Sequence, residues 1–523
     1  MKSALAVAGV AICMSAVSSS GQSPTTASER PLIRAIEIRR IPVFDSVEAR
    51  FWPYRVANAL HAKTRPYVIR RELLFAAGEP FDTARVNESE RILRSLGVFR
   101  DVVIDTMHTD SGLVVRVTTS DAWTTTPGFD ITSSGTQTIV SLSLQESNLL
   151  GTRTAAVLGY VNDPDRSSLH LGFDSPRVIS NRIGIGMSYI DRSDGRGGSA
   201  SVRHPFFSLA SRRGASLSGQ FVDGRVLRFV GGDPRPADSL WRKFSIVRGD
   251  AAMALSGSSR GYLRVGLLGH IRREDFGPEA GSHDLPSTIT AVLGSHLSMR
   301  VARYIRMRNV QSMDRIEDID LGPRASLSII AAPRSWGYQR NGLGTAFVGG
   351  IGTRLPSGFL FVQGSAGGLF TSNGTDSSRA DGSALLVMQP VPQLLLLSHL
   401  GGAMVRNPAP GGEFDLGLNY GLRSFPAHSF TGDRRILMNA EARWLLTPRL
   451  FGLVGVAIAA FVDHGGAWFH GSPRRTGTDA GMGLRLASIR EAGRVWRVDL
   501  ARRFETDRLP GELVVSIGQG FLF

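Results

Sequence analysis

Cysteine and lysine are nearly missing from this sequence. Cys13 is the single thiol among 523 residues. It lies in a leader segment, so the mature chain has no disulfide framework and no thiolate metal site. Lys2, Lys63 and Lys243 are the only lysines, and the formal charge of +15 is therefore carried by arginine. The arginines are dispersed rather than clustered, which argues against a nucleic-acid partner. Guanidinium groups also bind phosphate bidentately, as a lipopolysaccharide surface would require. Long apolar runs are missing too. Beyond the leader the longest is Leu450–Val462, which holds two glycines and is too short to cross a bilayer as a helix. The eleven histidines show no HExxH spacing. There is no GxSxG elbow and no acid–base pair with a shared cleft. GIGMS and GMGLRL sit in alternating segments with no helix after them, so they read as small residues in strands rather than phosphate loops. No enzyme activity, cofactor or metal is expected.

The first 20 residues read as a secretory signal peptide: Lys2 is the charged start, residues 4–17 the apolar stretch, and small residues follow. Export without a helical anchor leaves a soluble exported protein or a β-barrel. Residues 31–121 read as a small α/β domain of order β-α-α-β-β. IRAIEI is its first strand, and VIRRELLFAAGEPF a helix closing near Gly78. DTARVNESERILRSLGVF is a second helix, with Asp82 as N-cap and Val86, Leu93 and Leu96 on its buried face. Strands around DVVIDT and GLVVRVTT complete it.

From Pro127 to Phe523 the period changes to two. Val140, Leu142 and Leu144 oppose Ser141, Ser143 and Gln145. Ile436, Met438, Ala440, Ala442 and Trp444 oppose Arg435, Asn439, Glu441 and Arg443. Ile458, Ala460 and Val462 oppose Ala459, Phe461 and Asp463. A water-soluble sandwich hides its aliphatic face, whereas a transmembrane barrel turns that face to lipid and keeps charges in its lumen. Charges in mid-strand favour the barrel. At roughly 25 residues per strand and connection, the region allows about 16 antiparallel strands. The final segment VVSIGQGFLF extends the alternation, with Val515, Ile517, Phe521 and Phe523 facing lipid and Ser516, Gly518 and Gly520 facing the lumen.

Five stretches carry a resemblance. Ser516, Gly518, Phe521 and Phe523 fill the specified places of the bacterial outer-membrane β-signal. GLRSFPAHSFTGDRRILMNAEAR resembles the sixth extracellular loop of the BamA/TamA family, and FVDHG, with Phe461, Asp463 and Gly465, resembles that family's thirteenth-strand motif. Residues 68–104 resemble a POTRA domain, and ESNLLG at 146–151 is similar to the segment where the family's barrel begins. The resemblance implies a loop folded into the lumen, with Arg423 paired to Asp463, Glu441 nearby and the aromatic Phe425 beside them. Ser424 stands where the family has glycine. It further implies an outer-membrane location with the POTRA domain in the periplasm. The implied activity is insertion of barrel proteins, or passage of polypeptides, without ATP. Partners would be unfolded outer-membrane or secreted clients at the POTRA domain and barrel seam, with membrane lipid and accessory lipoproteins around them. The alternative is a passive pore or surface structural protein that retains the fold.

Overall fold

The computed structural model describes residues 31–519, apart from 111, 135–136, 180–181, 234, 278–287, 314, 419–420, 452 and 489–494. The leader, Gly520, Phe521 and Phe523 lie outside the described residues.

The N-terminal domain runs β1 (Ile33–Ile41), a 3-10 turn (Glu48–Arg50), α1 (Trp52–Leu60), α2 (Pro66–Arg70), α3 (Thr83–Ser95), β2 (Phe99–Thr109) and β3 (Gly112–Asp121). The sheet order is β1-β3-β2, with β1 parallel and β2 antiparallel to the central β3. Asp82 caps α3 by accepting from the amides of Ala84 and Arg85 at 2.8 and 3.3 Å. Val86 and Leu93 bury beneath that helix with Ile69, Phe75, Phe99, Val115 and Val117. Two readings need correction. The helix expected over VIRRELLFAAGEPF is only the short α2, because the amide of Leu74 bonds to Ser89 Oγ (2.9 Å) and Gly78 adopts a left-handed conformation. An unforeseen helix, α1, precedes it, with proline in its first turn setting the helical φ.

Twenty antiparallel strands, from Thr125–Ser134 to Glu512–Gln519, form a closed barrel in which the last strand pairs with the first. The expectation of about 16 strands is thus wrong. Tight turns are the reason: two residues separate Thr371 from Gly374, Val391 from Leu394 and Ser258 from Gly261. Each strand with its connection therefore takes about 20 residues rather than 25. ESNLLG closes the second strand and its turn instead of opening the barrel.

Period two sorts the faces. Leu142, Leu144, Tyr160, Leu171, Leu267, Phe347, Leu400, Met438, Trp444 and Val515 are all exposed on the outside. A surface this apolar belongs against lipid, in keeping with an outer-membrane barrel. The N-terminal domain seats on one end of the barrel, the near rim. Arg65 donates from its backbone to Gly151 (2.9 Å), Glu72 pairs with Arg177 (2.5 Å), Glu88 accepts from the amide of Leu209 (3.0 Å) and Arg94 pairs with Asp318 (2.7 Å). Asp318 belongs to a hairpin, Tyr304–Arg308 with Ile316–Asp320, inserted between the tenth and eleventh strands. Its tip crosses the near mouth. Val310 packs with Phe359, Val387 and Leu395, and Met313 with Ala457, Ala487 and Val495.

Candidate functional site

The residues singled out from sequence converge inside the lumen. The connection between the fifteenth strand (Leu394–Arg406) and the sixteenth (Arg434–Leu450) starts from the far rim and folds inward, adding three short strands of its own, Phe414–Leu418, Gly421–Leu422 and Phe430–Gly432. It places Arg423 against the wall formed by the sixteenth to nineteenth strands, where its side chain is 1% exposed. Arg423 Nε lies 2.9 Å from Asp463 Oδ2, Nη2 lies 3.0 Å from Glu441 Oε2, and Nη1 lies 3.6 Å from Asp499 Oδ2. The guanidinium also stacks 3.7 Å from the centre of the Phe461 ring.

Sequence reasoning missed most of the surrounding charges. Arg485 bridges Glu441 Oε2 (2.8 Å) and Asp499 Oδ1 (2.6 Å). Arg443 pairs with Glu441 Oε1 (2.5 Å), and Arg497 with Asp499 Oδ2 (3.0 Å). Asp479 Oδ2 accepts the backbone amides of Arg423 and Ser424, both at 3.1 Å. Asn439 donates to Asp463 Oδ1 (2.8 Å) and to the carbonyl of Gly421 (3.0 Å). Four arginines thus face four carboxylates, all out of water. Burying a charge is costly unless it is paired or hydrogen-bonded: Glu441, Asp463 and Asp499 face arginines, and Asp479 is held by two backbone amides. The signal was present in the sequence. Glu441 and Arg443, Asp463, Arg485, and Arg497 and Asp499 all occupy lumen positions of the two-residue period. Which of them meet depends on strand register.

Serine at 424 is tolerated because its backbone is not left-handed, so nothing there calls for glycine. Its carbonyl accepts from Ser134 Oγ (2.9 Å) at the end of the first strand and from Arg503 Nη1 (3.0 Å) on the nineteenth. Phe425 is fully buried against Phe430, with ring centres 5.2 Å apart. A Cβ at Gly477 would lie 2.2 Å from the Phe425 ring, so that position has room only for glycine. Gly465 packs beneath the loop between the backbones of Leu437 and Gly477. Toward the far rim His428 stacks on Phe229 and reaches Asp415 (2.5 Å) and Asp165 (3.1 Å), tying the loop to two others.

Of the C-terminal pattern, Ser516 and Gly518 face the lumen side by side with Asp499 and Arg497. Among the described residues the closing seam has two register pairs, Ser516 with Thr132 and Ile517 with Ile131. Among the described residues no three His, Asp or Glu side chains converge as metal ligands.

Residues 59–120 match the POTRA family, described as a surface antigen variable number repeat. That match and the closed barrel define a POTRA–barrel protein. No curated protein matches the sequence. Among solved structures, the chain is similar to BamA from Haemophilus ducreyi lacking POTRA domains 1–3. That pair has 13% identity and a TM-score of 0.38, over 93% of this chain and 84% of the other. CdiB from Acinetobacter baumannii (12% identity, TM-score 0.47, 94% and 74%) and CdiB from Escherichia coli (12%, 0.46, 94% and 77%) are similar also.

Proposed function

We propose that this protein assembles or translocates polypeptides at the bacterial outer membrane, with its POTRA domain in the periplasm and no nucleotide consumed. The observation that carries the reading is a POTRA domain joined to a barrel that closes by pairing its last strand with its first, beside the wall that holds the inward-folded loop. Arg423 pins the loop to that wall through Asp463 and Glu441. An edge that opens in lipid exposes backbone donors and acceptors that only another strand can satisfy, and an unfolded client supplies such strands. Gly518 weakens side-chain packing at that edge. Client strands pair with the opened seam, and the sheet of the POTRA domain offers them a first docking edge. Arg423 keeps the loop docked while the seam moves.

The test uses the lack of other thiols in the mature chain. Thr132→Cys with Ser516→Cys places one thiol on each side of the seam. Proteoliposomes containing the reduced variant should fold an added unfolded barrel faster than empty liposomes, scored by protease resistance and heat-shifted gel migration. Oxidation should abolish that gain and reduction restore it. No gain in either state, with steady ion conductance through the same vesicles, favours the passive pore.

A further inference from the structure

The apolar face of α1 points the wrong way for a domain helix. Phe51, Trp52, Val56 and Leu60 are 58%, 64%, 47% and 77% exposed. The residues turned toward the domain are Tyr54, which stacks on Phe44 at 4.2 Å, and Asn58, which exchanges hydrogen bonds with the Phe44 backbone at 2.8 and 3.1 Å. Pro53, Tyr54, Ala57 and Asn58 face inward, and the large aliphatic and indole side chains face out. A soluble domain has no reason to hold tryptophan, phenylalanine and leucine in water on adjoining turns.

Its position says what covers that face. The segment from Pro42 to Thr64 is packed at the end of the sheet where β3 leaves for the barrel: Ile41 pairs with Ser120, and Arg40 donates to the Thr64 carbonyl at 3.0 Å. Immediately after α1, the chain is bonded to the turn between the second and third barrel strands. Asn148 Nδ2 donates to Thr64 Oγ1 (2.9 Å), and Arg65 Nε donates to the Leu150 carbonyl (3.1 Å). Leu149 and Leu150 on that turn are exposed apolar residues continuous with the outer belt of the barrel. The contacts that cross the near mouth come instead from α2, α3 and their flanks. α1 therefore lies outside the barrel perimeter, next to the first strands and the seam. Arg50, Lys63 and Arg65 flank it, Arg55 lies within it, and the helix itself contains no acidic residue.

We infer that α1 is an interfacial helix that docks on the phospholipid surface at the near rim, with Trp52, Val56 and Leu60 among the acyl chains and the arginines at the phosphate groups. An apolar stripe bordered by basic residues, level with a lipid-facing belt, is what such a surface binds. The helix then fixes the POTRA domain against the bilayer next to the edge that opens.

The test is an environment-sensitive fluorophore on Val56→Cys in the full chain, reconstituted in phosphatidylethanolamine–phosphatidylglycerol vesicles. Leu142→Cys on the barrel exterior and Asp110→Cys on the β2–β3 turn serve as buried and exposed references. The expected result is a blue-shifted emission at position 56, quenched by lipids spin-labelled near the headgroup, with the signal at 110 unchanged. Adding Trp52→Ser and Leu60→Ser, on the exposed face of the helix, should return the emission at 56 to that of position 110. Emission at 56 equal to that at 110, while position 142 is quenched, would overturn the lipid assignment and leave the barrel's membrane insertion intact. A shift at 56 seen only on addition of an unfolded client would overturn it in favour of a protein partner.

Discussion

The two halves of the lumen wall are built by different rules. From the sixteenth strand onward the inner face is a lattice of buried ions: Glu441, Asp463, Asp479 and Asp499 against Arg423, Arg443, Arg485 and Arg497. In the twelfth to fourteenth strands the inner positions include small or singly bonded groups such as Gly344 and Ser365, the latter donating to Asp381 at 2.6 Å. One wall holds the loop in a single place, and the other packs against the near-mouth hairpin through Phe359 and Val387. This explains how the barrel can exceed the expected strand number without losing its loop site. Five strands follow the loop, as they would follow the sixth outer loop of a sixteen-stranded barrel. The four additional strands precede it, where no register has to be kept with Arg423.

Glu441→Ala should break the contrast most severely. It leaves Arg423, Arg443 and Arg485 without their shared carboxylate, and removing one partner of a buried ion pair costs about 3–5 kcal/mol. A large fall in the urea midpoint of heat-shifted gel migration is expected. Gly477→Ala comes next. The added methyl meets the Phe425 ring, and overpacking of this kind costs about 1–3 kcal/mol. The expected sign is protease cleavage within the loop, residues 407–433, of a barrel that still migrates as folded. A smaller effect is expected from pH. Burial disfavours the charged form of His428, but hydrogen bonds to Asp165 and Asp415 outweigh it and raise its pKa to about 9. A raised histidine contributes fully below its unfolded value of about 6.5 and loses that contribution as pH rises through 9. Loop proteolysis should therefore increase between pH 7 and 10, and His428→Gln should remove that dependence. Asp381→Ala, on the other wall, should change the midpoint by about 0.5 kcal/mol or less. An effect as large as that of Glu441→Ala would erase the distinction between the walls.

Much of this wall was legible in the residues. Alternation placed Glu441, Arg443 and Asp463 on the lumen side, and family resemblance joined Arg423 to Asp463. Alternation assigns a face but not a partner. Arg485 meets Glu441 across an intervening strand through the stagger of the barrel, a property of closure that one strand does not encode. The strand number failed for a related reason: turns of two residues leave little trace beside strands rich in glycine and serine. α1 escaped notice because its apolar stripe is not an inward-facing one. The near-mouth hairpin escaped too. Its strands are five residues each, and their partners are one another rather than the barrel.

The carbonyl of Ser424 accepts from residues 290 positions before it and 79 positions after it. A single atom thus records that both ends of the polypeptide have been made and brought together. Hairpins between neighbouring strands can form as the chain is synthesised, but this junction cannot. Contacts so distant along the chain are the slowest to form. The latch is therefore among the last parts of the molecule to assemble, and its docking marks a completed ring.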